Sequence, residues 1–128
     1  MADTTSYSGY LKLARDTDST APASPSVAVK YAKIDASTSG DNTIVAAVTG
    51  KKIRVVSLFY FSSGTVNVRF ESGASGTALT GQMQHIAQTG AVLSYNEDGW
   101  FETAAGSLLN LELSDAVSVD GCLSYIEV

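Results

Sequence analysis

From residue 65 to residue 71 the chain reads Thr-Val-Asn-Val-Arg-Phe-Glu, a strict alternation of polar and apolar side chains. An extended strand sends successive side chains to opposite faces, so a period of two marks a strand with one buried and one solvated side. Val66, Val68 and Phe70 are expected inside, with Thr65, Asn67, Arg69 and Glu71 outside. The texture recurs along the chain. Val27, Val29 and Tyr31 alternate with Ala28, Lys30 and Ala32, while Leu109, Leu111 and Leu113 alternate with Asn110 and Glu112. In the last segment Val117, Val119, Leu123 and Tyr125 keep one phase, and Asp120-Gly121 is the expected site of a bulge. Residues 43–48, residues 90–95 and a short piece opened by Trp100 and Phe101 are further strand candidates.

The most hydrophobic run is Ile-Arg-Val-Val-Ser-Leu-Phe-Tyr-Phe at residues 53–61. Its second half is apolar on both faces, with Val56, Leu58 and Tyr60 opposite Phe59 and Phe61. Such a strand is either covered on both sides or part of an interface. Alternation directs Tyr60, and one of Trp100 and Phe101, away from the main core. Turn chemistry separates these runs, at Ser39-Gly40-Asp41-Asn42, Thr49-Gly50-Lys51-Lys52, Ser62-Ser63-Gly64 and Asn96-Glu97-Asp98-Gly99. No stretch of ten residues carries a helical apolar period, and residues 82–88 allow one helical turn at most. The expectation is an all-β fold, a single β-sandwich or jelly-roll-like barrel of about seven to nine short antiparallel strands.

A chain of 128 residues suits one domain and buries roughly two thirds of its unfolded surface, so it needs neither disulfide nor metal to hold a core. The boundary is expected near residue 26. Residues 27–128 make the sandwich, and residues 1–26, rich in Ser, Thr, Asp and Ala and holding Pro22 and Pro25, make an extended N-terminal arm. The arm carries one apolar island, Tyr-Ser-Gly-Tyr-Leu-Lys-Leu at residues 7–13. A purely solvated tail has little use for Tyr7, Tyr10, Leu11 and Leu13. With Tyr60 and Trp100 they are the candidate interface residues, and the arm is expected to order by adding to a neighbouring subunit.

Chemistry is sparse. The one histidine, His85, sits among Gln82, Gln84 and Gln88 with no nucleophile-elbow motif nearby, and the one cysteine, Cys122, has no base beside it in sequence. Cys122 is expected as a small buried hydrophobe. One His and one Cys give no zinc spacing. Residues 16–27 begin like a calcium loop, but Ala21 and Val27 occupy the positions that require Gly and Glu. Glu97, Asp98 and Glu102 form no second pair across a groove. No catalytic residue, cofactor or metal is expected. The net charge of −5, with no basic cluster beyond Lys51, Lys52 and Arg54, argues against nucleic acid and against an anionic membrane. The first residues lack the basic and apolar regions of a secretory signal, so synthesis and folding in a cytosol are expected.

The order of several segments resembles a pattern found in small virion proteins of tailed bacteriophages. These segments are Gly50-Lys51-Lys52-Ile53-Arg54-Val55, Val66-Asn67-Val68-Arg69-Phe70-Glu71-Ser72-Gly73 and Leu79-Thr80-Gly81. Gly99-Trp100-Phe101-Glu102-Thr103-Ala104-Ala105-Gly106, then Leu109-Asn110-Leu111, then Gly121-Cys122-Leu123-Ser124-Tyr125-Ile126-Glu127-Val128 continue it. The resemblance covers residues 43–128 and lies in the succession of segments. It implies a virion surface component: a capsid decoration (cement) protein, or alternatively a head or tail fibre module gripping a host-surface glycan through Trp100, Tyr60 or Tyr95. The implied partners are the major capsid protein or other virion proteins and further copies of the chain. A trimer is the expected symmetry, and the virion the expected location.

Overall fold

The computed structural model describes residues 27–128, so the expected N-terminal arm lies outside the described residues. Among the described residues there is no helix and there are ten strands. They are β1 (Lys30–Ala36), β2 (Gly40–Val45), β3 (Ile53–Ser62), β4 (Val66–Ser72), β5 (Thr77–Ala78), β6 (Met83–His85), β7 (Gly90–Leu93), β8 (Phe101–Glu102), β9 (Leu109–Leu113) and β10 (Val119–Glu127). The count exceeds the expected seven to nine because β5, β6 and β8 are pieces of only two or three residues.

The strands form two antiparallel sheets. One runs β1-β10-β3-β7 with β8 also on β3, and the other β2-β9-β4-β5 with β6 also on β4. Since β5 and β6 share one side of β4, and β7 and β8 one side of β3, each pair acts as one interrupted strand. Every other link then crosses from one sheet to the other, except the hairpin from β4 to β5. That winding is a jelly roll. Its core is the set of inward alternations. Ile34 and Ala36 from β1, Leu58 and Tyr60 from β3, and Val119 and Leu123 from β10 face Val66, Val68 and Phe70 from β4 and Leu109, Leu111 and Leu113 from β9. The Tyr60 and Phe70 rings meet edge to face with centroids 6.2 Å apart, a geometry worth about 0.5–1.5 kcal/mol beyond the buried area.

One extra residue in β3 decides which aromatics are buried. Val55 pairs with Tyr125 and Ser57 with Ser124, leaving Val56 without a partner on β10. A bulge of this kind switches the phase of the strand. Ile53 and Val55 point inward before it; Leu58, Tyr60 and Ser62 point inward after it. Tyr60, expected to face away from the core, is therefore wholly buried, and Phe59 and Phe61 take the outer face. The bulge expected at Asp120-Gly121 is absent: Gly121 pairs regularly with Tyr60. It is glycine because a Cβ there would stand 1.9 Å from the Phe59 carbonyl oxygen.

Three smaller expectations also change. Residues 39–42 are not a free turn, since β2 begins at Gly40. The Asn110 side chain accepts a hydrogen bond from Asn42 N at 2.8 Å and keeps that stretch in the sheet. Within residues 82–88 there is no helical turn but β6, whose His85 pairs with Val66. Glu71 does lie on the outer side of β4, yet it is fully buried.

Candidate interaction surface

The outer face of the β1-β10-β3-β7 sheet carries apolar side chains that the chain itself does not cover. Phe59 and Phe61 are 46% and 52% exposed, and Val92 is 69% exposed. Register brings them together. Phe59 lies between Cys122 on β10 and Val92 on β7, and Phe61 between Asp120 and Gly90. Lys33 and Asp35 on β1 border the patch through their pairing with Cys122 and Asp120. Cys122 is half-buried at this face rather than in the core. Fully burying a Phe stabilises by roughly 1.5–3 kcal/mol, so each half-exposed ring leaves on the order of 1 kcal/mol available to a partner.

Next to this patch the sandwich is open. β7 forms the edge of its sheet, with no further strand beside it among the described residues. Its inward side chains, Ala91 and Leu93, are only partly buried, as is Met83 in the facing sheet. Between them lies an apolar cleft of about 80 Å³ lined by Leu58, Tyr60, Phe70, Thr80, Met83, Ala91, Leu93 and Phe101. That is roughly half the 150 Å³ that accommodates a benzene ring, so one aliphatic side chain fits. The opposite side is shut, because β1 and β2 are joined by only residues 37–39 and bury Ile34, Ala36 and Val45 there.

His85 stands beside this cleft. Its Nε2 lies 3.0 Å from the Tyr60 hydroxyl, which also donates to Met83 Sδ at 3.4 Å. Burial pushes the Tyr60 phenol up to about 12, so it stays protonated and holds the imidazole as a hydrogen-bond partner. The ring packs edge-on against Tyr60 with centroids 5.4 Å apart. His85 is thus a half-buried strand residue packed on Tyr60 behind the cleft lining, where the sequence suggested a polar link.

The bulge in β3 also seats the Tyr95–Trp100 loop. Its two consecutive carbonyls, Val55 O and Val56 O, accept from Trp100 N at 2.8 Å and Asn96 N at 2.9 Å. Trp100 Nε1 donates to Ser94 O at 2.8 Å, which fixes the indole while 45% of the residue remains exposed. Tyr95 on the same loop is 60% exposed. Phe101 turns the other way and stacks at a tilt on Phe70, centroids 5.1 Å apart.

The other sheet presents a polar outer face. Register lines up Asp41, Glu112 and Arg69 across β2, β9 and β4, with Thr43, Asn110 and Glu71 in the next row. Arg69 Nε reaches Glu71 at 2.7 Å and Glu112 at 3.0 Å. Asn110 Nδ2 donates to Glu71 at 2.9 Å and Asp41 at 2.8 Å, and Ser75 closes on Asp41 through its N and Oγ. Burial alone would raise the Glu71 carboxyl, but hydrogen bonds from Arg69, Glu112 and Asn110 outweigh it and hold Glu71 below the usual range. Glu112 is raised, chiefly by its hydrogen-bonding interaction with the neighbouring Glu71 carboxyl and then by burial. Arg69 stands between the two carboxyls, so the charges that β4 and β9 bring together partly offset one another.

Of the residues singled out in the sequence, Trp100 is exposed on its loop and Tyr60 lies in the core, while Tyr7, Tyr10, Leu11 and Leu13 lie outside the described residues. Glu102 is ion-paired with Arg54 at 2.7 Å and Lys52 at 3.3 Å, which lowers its pKa and keeps it ionised. An interface on the 53–61 strand was expected, though Phe59, Phe61 and Val92 were not named for it, and the Glu71–Glu112 pair was missed. The double-sided apolar run at residues 53–61 signalled the first; nothing short of the strand register signalled the second. Compared with known proteins, the chain matches no protein-family model, no curated protein and no solved structure.

Proposed function

We propose that this protein is a structural component of a tailed-bacteriophage virion, most concretely a capsid decoration (cement) protein that binds the assembled shell and neighbouring copies of itself. The observation that carries the reading is the uncovered apolar face formed by Phe59, Phe61 and Val92 beside an open sheet edge. Contiguous apolar surface of this kind mark sites where another polypeptide packs. The segment succession over residues 43–128 supports the virion setting. A non-catalytic role is supported by the two groups best suited to proton transfer. His85 faces the buried Tyr60 phenol, and Glu71 and Glu112 are tied to each other and to Arg69. A protein that binds only the assembled shell stabilises it by mass action.

The test is cosedimentation of the purified protein with shells that lack it, followed by heating. Bound protein is expected to raise the temperature at which shells release DNA. Protein that stays in the supernatant with heads and pellets only with tails would remove the decoration role. A second reading, a fibre module that grips a host-surface glycan, is favoured by the exposed Tyr95 and Trp100 on one fixed loop, since aromatic faces stack on sugars and on protein partners alike. Trp100→Ala separates the two: loss of cell adsorption with unchanged shell binding would select the fibre reading.

A further inference from the structure

We infer that residues 9–11 of the chain add as a short strand to the β7 edge of their own copy, with Leu11 entering the apolar cleft and Tyr10 lying beside Val92. The inference goes beyond the virion reading and stands on the sandwich alone; it gives the segment a seat on its own copy, where the sequence suggested a neighbouring subunit. Three described features meet at one place: an edge strand with no further strand beside it, a cleft whose lining residues Ala91, Leu93 and Met83 are only partly buried, and an exposed apolar face immediately outside β7. An unpaired edge offers backbone donors and acceptors to an incoming strand. Trp100 Nε1 already occupies Ser94 O, so the free edge is Gly90–Leu93. A strand beyond it sends its inward side chains beside Ala91 and Leu93 and its outward one beside Val92. Gly9, Tyr10 and Leu11 supply that order, with the glycine beside Ala91, the tyrosine beside Val92 and the leucine beside Leu93. A cleft of about 80 Å³ takes one aliphatic side chain, and this register delivers one.

The donor is the same copy because of where the chain joins the sandwich and how much chain precedes it. Lys30 pairs with Tyr125, Tyr125 with Val55, and Leu58 with Leu93, so the start of β1 and the end of β7 lie at one end of the sheet. Only β10 and β3 stand between those two strands. Strands sit about 4.8 Å apart, so a strand beyond β7 lies about 19 Å from β1. Residues 12–26 reach up to about 50 Å when extended, more than twice that distance. A tether of this length presents the segment to its own edge at an effective concentration on the order of 1 mM, which a second copy exceeds only above that concentration. Charge favours the same end of the sheet. Residues 4–15 hold Lys12 and Arg15 and no carboxylate. The loop leaving β7 exposes Glu97 and Asp98, neither in an ion pair among the described residues. A strand parallel to β7 with Leu11 beside Leu93 sends Lys12 and Arg15 toward those carboxylates.

The test uses the full chain with Cys122→Ser, carrying Tyr10→Cys together with either Val92→Cys or Lys33→Cys, under mild oxidation at micromolar concentration. Neighbouring strands bring paired residues within disulfide reach. The expected result is a monomer with an internal disulfide to position 92, formed at least about tenfold faster than to position 33 and at a rate independent of protein concentration. A segment with no seat reaches both positions alike. A rate at position 33 equal to or above that at position 92, no disulfide at either, or a ladder of covalent oligomers would overturn the inference, and the ladder would assign the segment to a second copy. Leu11→Asp supplies a second measurement. It is expected to bring the rate at position 92 down to that at position 33. In the otherwise unsubstituted chain it is expected to lower the melting temperature by about 5 °C at every protein concentration. A melting temperature equal to that of the unsubstituted chain, or a difference that emerges only at high concentration, would also overturn it.

Discussion

At the scale of single residues, the Glu71–Glu112 pair gives the molecule an unusual response to pH. Asp41, Glu71 and Glu102 all have pKa values lowered in the folded state, by Ser75, by the Arg69 and Asn110 hydrogen bonds against burial, and by Arg54. Their contribution to stability is complete above the ordinary carboxylate range and is lost as pH falls through the lowered values. Glu112 works in the opposite sense. Its folded pKa is raised above 4.5, so its contribution is complete below that value and is lost as pH rises through the folded one. Glu112→Gln removes the second effect, while its amide can still donate to Glu71, and Arg69 and Asn110 keep that carboxyl low. The melting temperature of the variant, relative to the unsubstituted protein, is therefore expected to be higher at pH 7 than at pH 4. A difference that stays constant across that range would mean that the Glu112 carboxyl is not raised in the folded protein. None of this was legible in the sequence, where Glu71 and Glu112 are merely the polar members of two alternating strands. Their meeting depends on β4 lying beside β9, and a single chain does not display which strands pair.

At the scale of elements, the strands with strict alternation were readable and the one that breaks it was not. Val66, Val68 and Phe70, and Leu109, Leu111 and Leu113, are all in the core as their spacing requires. On β3 every residue from Val55 to Phe61 except Ser57 is apolar, so the pattern left the phase undetermined. The bulge at Val56 then chose it. The strands flanking β3 are fitted to that choice. Gly121 on β10 and Gly90 on β7 approach so closely that a Cβ would lie 1.9 Å from the Phe59 carbonyl oxygen and 1.7 Å from that of Tyr60. A clash with backbone is not relieved by turning a side chain. Gly121→Ala is expected to cost roughly 3 kcal/mol, the upper end of overpacking. Gly81→Ala, where nothing lies within 4 Å, should stay within about 0.5 kcal/mol. Urea titration of the two variants measures the contrast, and equal midpoints would mean that β10 and β3 are not held this close.

At the scale of the whole molecule, the jelly roll is closed by its last strand. β10 lies between β1 and β3, pairing with Lys30–Ala36 on one side and with most of β3 on the other. The Lys30–Glu127 ion pair at 3.1 Å, and the reciprocal backbone hydrogen bonds of Lys52 and Val128, tie the end of β10 to the starts of both neighbours. Val119 and Leu123 are its share of the core. Without β10, β1 has no partner in its sheet, and the inner faces of Ile34, Leu58 and Tyr60 lose their lateral support. Removal of residues 119–128 is therefore expected to abolish the cooperative unfolding transition. Removal of residues 1–26 should preserve it, because the described residues complete the core without them. The same topology makes folding slow. Pairing the first strand with the last requires a long loop to close before any contact compensates, so refolding of the full chain should take milliseconds to seconds. Circular dichroism on both truncations and stopped-flow refolding of the full chain measure these outcomes. A sharp transition in the chain lacking β10 would mean that the sandwich forms without its central strand, and the strand order given above would be wrong.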